Sequence, residues 1–180
     1  METLKDCQQS AFIKPASLSF FENMKIHLWS VGKSNEPYVK EGIEMFTKRI
    51  SHYYAVEWKF FSLPRQKASL QKEDLKLQEA NSLLQAIDKT DILVALDEKG
   101  KQWPSEALAD FIQHAANQSA RNLIFLIGGA YGLDQKILQR ANATWSLSKL
   151  VLPHQLVRLI LAEQIYRACT ILRNEKYHHS

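Results

Sequence analysis

The chain of 180 residues is about one domain at ~100–200 residues per domain, long enough to bury roughly two-thirds of its unfolded surface. Hydrophobic residues at 46% and charged residues at 23%, with 6 Gly and 5 Pro, exclude collagen-like, low-complexity and wholly disordered classes. The net charge of +4, from 23 Lys+Arg against 19 Asp+Glu, permits a polyanionic partner without demanding one.

No run approaches the ~18 uninterrupted apolar residues of a membrane-spanning helix, so no membrane partner is expected. Cys7 and Cys169 are too few for a disulfide scaffold and lack a zinc spacing, and the reducing cytoplasm is the expected setting. Residues 1–23 have no sustained periodicity and read as a poorly ordered extension. Glu2 and Asp6 spoil the positive leading region that a secretion signal needs. A single domain over residues 24–180 is expected.

Ile26, Leu28 and Ser30 interleave with Lys25, His27 and Trp29 as a first strand ending at Gly32. Val39, Ile43, Phe46, Ile50 and Tyr53 then recur in steps of four and three, with Lys40, Glu44 and Lys48 opposite, which predicts an amphipathic helix. Val56, Trp58 and Phe60 alternate with charged residues as a second strand, stopped by Pro64. Helical spacing returns at Leu77, Ala80, Leu84 and Ile87, and the apolar run from Ile92 to Leu96 suits a strand buried on both faces. Asp97, Glu98, Lys99 and Gly100 read as a turn. Leu108, Phe111, Ile112 and Ala115 mark a helix entered through Pro104 and Ser105. Leu123 to Ile127 is a second doubly buried strand, running into Gly128, Gly129, Ala130, Tyr131 and Gly132. A short helix from about Asp134 to Ala141, an extended piece at Trp145, Ser146 and Leu147, and a long helix from Pro153 complete the chain.

Strands that alternate with helices and are apolar throughout argue for an α/β protein with a mostly parallel sheet covered on both faces. Ligands in such folds bind beyond the carboxyl ends of the strands, which directs attention to residues 97–101, 128–132 and 148–152. The glycine loop permits close approach of backbone to a ligand, yet its spacing and position are not those of a dinucleotide fingerprint, and a plain tight turn suits it equally. No phosphate loop, Gly-x-Ser-x-Gly nucleophile or His-Glu-x-x-His metal motif is present, so no metal is assigned. Cys169, among apolar helical neighbours, reads as a small core residue.

The stretch from Trp145 through Pro153, His154 and Arg158, its continuation from Leu161 to Ala168, and the closing Tyr177 and His178 closely resemble the ribosomal RNA large subunit methyltransferase H family. Phe125 to Leu133, Leu96 to Lys101 and the opening Met24, Lys25 and Ile26 share the resemblance, which covers everything after the extension. It implies a SPOUT-class methyltransferase whose Rossmann-like sheet ends in a deep trefoil knot, a topology that general rules of chain connection would never suggest. By that resemblance S-adenosylmethionine, the methyl donor, contacts Leu96, Gly128, Leu147, Ser148, Lys149, Leu150, Val151 and Leu152. The reaction implied is methylation of N3 of a pseudouridine in 23S rRNA within the assembled 70S ribosome.

An imide proton must leave during that transfer, and His154, Tyr177 and His178 are the titratable candidates near the implied site, with no single base chosen among them. Arg158, one helical turn after His154, is a candidate for an rRNA phosphate or the donor carboxylate, with a structural ion pair as its alternative. A homodimer is expected, with Leu156, Leu159, Ile160 and Ile165 of the last helix as the contact face or as internal packing. The alternative function is a non-catalytic RNA- or ribosome-binding module of the same fold, which would bind RNA without the cofactor.

Overall fold

The computed structural model describes residues 24–32, 35–62 and 71–176. The extension 1–23, Pro64, and Tyr177 and His178 of the tail lie outside the described residues. Among the described residues five strands and five helices alternate: β1 (Lys25–Val31), α1 (Pro37–Ile50), β2 (Ala55–Phe61), α2 (Lys72–Ala86), β3 (Ile92–Gln102), α3 (Ser105–Asn117), β4 (Asn122–Ile127), α4 (Gln135–Arg140), β5 (Ala143–Ser146) and α5 (His154–Leu172). Pro37 opens α1, where its missing N–H costs nothing. Asp134 caps α4, its Oδ1 accepting from Lys136 N at 2.8 Å.

The sheet runs in the order β2-β1-β4-β3-β5 with every ladder parallel. Period-two geometry sends Leu123, Phe125 and Ile127 of β4 to one face, where they pack with Leu108 and Ile112 of α3 and Leu161 and Ile165 of α5. Ile124 and Leu126 point the other way, against Ala80 and Leu83 of α2 and Ile137 of α4. Both faces are therefore dry, which is why these strands are apolar throughout. Each such fully buried side chain contributes roughly 1.5–3 kcal/mol of apolar transfer free energy.

β3 does not end at Leu96, as the sequence suggests. It continues to Gln102, and Leu96 and Lys101 both pair with Trp145, so residues 97–100 are looped out of a continuing strand. The turn chemistry inside that bulge is real: Asp97 Oδ1 accepts from Lys99 N at 2.9 Å. Gly100 closes it, because a Cβ there would stand 2.8 Å from the backbone of Thr144 and Trp145. A local reading sees the turn residues, whereas the second pairing with β5 is a long-range event.

The apolar side of α5 is used largely within the chain. Ile165 is fully buried, and the Leu159 side chain presses on Gly42 of α1, where a Cβ would lie 2.6 Å from Leu159 Cδ1. Exposed large apolar side chains near this end of the molecule include Leu150 and Val151, in the loop before α5, Tyr131 of the glycine loop, and Tyr38 in the first turn of α1. Gln155 Oε1 accepts from Glu36 N at 2.6 Å and so ties the starts of α5 and α1 together.

Candidate methyl-donor site

β4, β3 and β5 are neighbours and run parallel, so their carboxyl ends emerge side by side. The segments that follow enclose a cleft of about 690 Å3, within the ~300–1,000 Å3 range of small-molecule sites. Leu96 stands at the bulge of β3, Gly128 leaves β4, and Leu147, Ser148, Leu150, Val151 and Leu152 follow β5, all lining this cleft. Lys149 belongs to the same loop but does not line it.

The glycine loop is held by its own backbone. Gly132 N donates to Gly129 O at 3.0 Å, and Gly132 takes φ +76°, a conformation that side chains disfavour. Gly128 is tight on its protein side: a Cβ there would stand 2.9 Å from Leu133 Cγ and 3.0 Å from Gly132 C. At Gly132 a Cβ would meet nothing within 4 Å, so the loop presents bare backbone to open space. The β5 loop folds on hydroxyls, since Ser146 Oγ donates to Ser148 O and Leu150 N donates to Ser148 Oγ, both at 2.9 Å. These turns project Leu150 and Val151 outward, 74% and 89% exposed.

His154 also lines the cleft. Desolvation there, and secondarily the Arg158 guanidinium, hold its imidazole pKa below the ordinary value, so the ring is neutral and can accept a proton near pH 7. Arg158 does not line the cleft. It is 3% exposed, donates from Nε to Ser30 Oγ at 2.9 Å and from Nη1 to Asn35 Oδ1 at 2.7 Å, and sits 5.2 Å over the Phe60 ring. Burial lowers its pKa as well. It fastens α5 to the end of β1 and the approach to α1.

Trp145 forms part of the cleft wall beyond the residues singled out from sequence, and it is stacked on Trp103 at 5.4 Å. Glu79 of α2 lies behind the glycine loop. Trp145 opens the C-terminal motif and was readable as a strand residue. Glu79 is one more charge on a helix until the fold sets it against Gly129. Among the described residues no group of three or more His, Cys, Asp or Glu is arranged for a metal.

The arrangement fits an adenosyl donor: bare glycine backbone on one side, and apolar and hydroxyl side chains from the β5 loop on the other. A family model described as "Predicted SPOUT methyltransferase" matches residues 24–178. A protein of Cytophaga hutchinsonii named ribosomal RNA large subunit methyltransferase H is 44% identical over 157 residues, covering 87% of this chain and 100% of that protein. The protein of the same name from Christiangramia forsetii is 38% identical over 156 residues, covering 87% and 99%. The crystal structure of a probable methyltransferase from Bordetella pertussis Tohama I superposes with a TM-score of 0.52 at 12% identity, covering 87% of this chain and 99% of that one, a likeness of fold alone.

Proposed function

Because this chain belongs to the SPOUT methyltransferases, within the ribosomal RNA large subunit methyltransferase H family, we propose that it uses S-adenosylmethionine to methylate N3 of a pseudouridine in 23S rRNA on the assembled 70S ribosome. The observation that carries this reading is the convergence of Leu96, Gly128 and the β5 loop, from three separate strand ends, on one cleft of small-molecule size. The donor supplies an electrophilic methyl group already activated on a sulfonium.

The protein's task is then mainly alignment. The glycine loop brings backbone to the cleft, and Leu147, Leu150, Val151 and Leu152 of the β5 loop would hold the donor's adenine. The path of residues 147–153 is compatible with the knotted connection of the family. With the methyl supplied by the donor, the imide proton of N3 would have to leave, and the neutral His154 imidazole at the cleft wall would be its acceptor. Tyr177 and His178 remain candidates beside it. Arg158 serves the site from behind, by fixing α5 and with it His154.

A second copy of the chain completes the enzyme in this proposal, covering Leu150, Val151 and Tyr38. Such a protein works in the cytoplasm, where ribosomes assemble.

Calorimetric titration with S-adenosylmethionine tests the site. The native chain binds, and a Gly128→Val chain that retains a cooperative melt does not, because its side chain has nowhere to go but into Leu133 and Gly132. Unchanged affinity in that variant removes the site assignment. Methyl incorporation into 23S rRNA of ribosomes lacking the modification, but not into free rRNA, is the expected result for the substrate.

A further inference from the structure

Glu79 stands on α2 next to the buried Ala80, and the helix carries its half-buried carboxylate up to the glycine loop. A Cβ built on Gly129 would lie 2.8 Å and 3.0 Å from the two carboxylate oxygens. Gly129 itself lines the cleft, so only one residue of bare backbone separates this charge from the ligand space. Among the described residues no hydrogen bond fixes the Glu79 carboxylate; Lys76, one turn earlier, acts on it only through its field.

The other carboxylates at the cleft are differently placed. Asp97 accepts from Lys99 N and Asp134 from Lys136 N, both in exposed turns, while Glu98 is exposed on the bulge. Glu79 is partly desolvated without a bonded partner, and burial raises its pKa. A carboxylate kept in such a place is costly unless a positive charge comes near it. In the reading above, the ligand that enters carries such a charge and the ligand that leaves does not: S-adenosylmethionine is a sulfonium, whereas S-adenosylhomocysteine is a neutral thioether with the same adenine, ribose and amino-acid groups.

We propose that Glu79 is a positioning and charge-selecting residue of the methyl-donor site, acting through Gly129 to favour the cationic donor over its uncharged product. This rests on the assignment of the cleft to S-adenosylmethionine. Every contact shared by the two ligands cancels in the ratio of their affinities, so the ratio isolates the charge.

The test is calorimetric titration of native, Glu79→Gln and Glu79→Ala chains with both ligands, alongside thermal melts. Glu79→Gln keeps the shape and removes the charge. Its affinity for S-adenosylmethionine is expected to fall at least tenfold, the effect of a unit charge about 12 Å away at an effective dielectric of about 20, with S-adenosylhomocysteine nearly unaffected. Glu79→Ala is expected to weaken both ligands, since the loop also loses its support, and to weaken the donor more. Equal losses for the two ligands in Glu79→Gln mean a purely structural role, and no loss for either means none; each overturns the proposal and leaves the cofactor assignment standing. A native chain that binds neither ligand overturns both.

Discussion

Gly100 illustrates how a single hydrogen atom in place of a side chain governs the site's wall. The strand can loop out residues 97–100 and rejoin β5 only because Gly100 lets its backbone approach Thr144 and Trp145. Gly100→Ala is expected to lower stability by about 1–3 kcal/mol, the usual cost of overpacking where the opposing atoms are backbone, read as a fall in melting temperature. At His154 the prediction concerns charge. Its imidazole titrates below the unfolded value of about 6.5, so the native state binds fewer protons than the unfolded state between the two pKa values. The stability it contributes is present above about 6.5 and is lost as pH falls through the folded pKa. NMR titration of the His154 ring should give a midpoint under 6.5, moving upward when Arg158 is replaced by Leu in a chain that still folds; a midpoint above 6.5 in the native chain would contradict the environment described.

Among elements, α5 carries the most constraint. It packs between α1 and α3 on one sheet face, begins at the cleft with His154 and supplies Leu161, Ile165, Ala168 and Cys169 to the larger core. Burial pushes the Cys169 thiol up to about 12, so at neutral pH almost none of it is the reactive thiolate. Alkylation mapped by peptide mass spectrometry is accordingly expected to modify Cys169 only as fast as the chain unfolds, with denaturant raising the rate in step with loss of helicity. Rapid labelling in native buffer would mean that α5 detaches locally. Helix α2 is the contrast. Ala80 and Leu83 are its fully buried residues, yet it brings Glu79 to the glycine loop and Lys72 to within 5.4 Å of the Tyr131 ring. It is a light element whose placement matters more to the site than to the core.

For the whole molecule, the central question is what covers the exposed apolar residues beside the cleft. Leu150, Val151 and Tyr38 are 74%, 89% and 63% exposed, in segments joined through Gln155 and Glu36. A charge placed there costs the single chain little, since nothing packs on it. Val151→Asp should therefore convert a dimer to monomers in sedimentation equilibrium while the monomer still melts cooperatively. A native chain that sediments as a monomer at micromolar concentration removes the proposed assembly.

The periodicities that distinguish helices from strands were legible because they are local: Leu123 to Ile127 reads as a strand dry on both sides, and Val39, Ile43 and Ile50 read as one stripe of a helix. The α/β pattern directed attention to residues 128–132 and 148–152, and family resemblance supplied both the individual contact residues and the ligand. Tertiary structure alone decided which strand ends are neighbours. The order β2-β1-β4-β3-β5 makes one cleft from three separated segments, because parallel neighbours share an edge. It alone continued β3 past the Asp97 turn, drew Arg158 away from the cleft to Ser30 and Asn35, and set Glu79 behind Gly129. Spacing along the chain encodes a residue's face and its turn, but contacts between residues 50 or 128 positions apart depend on how whole elements pack.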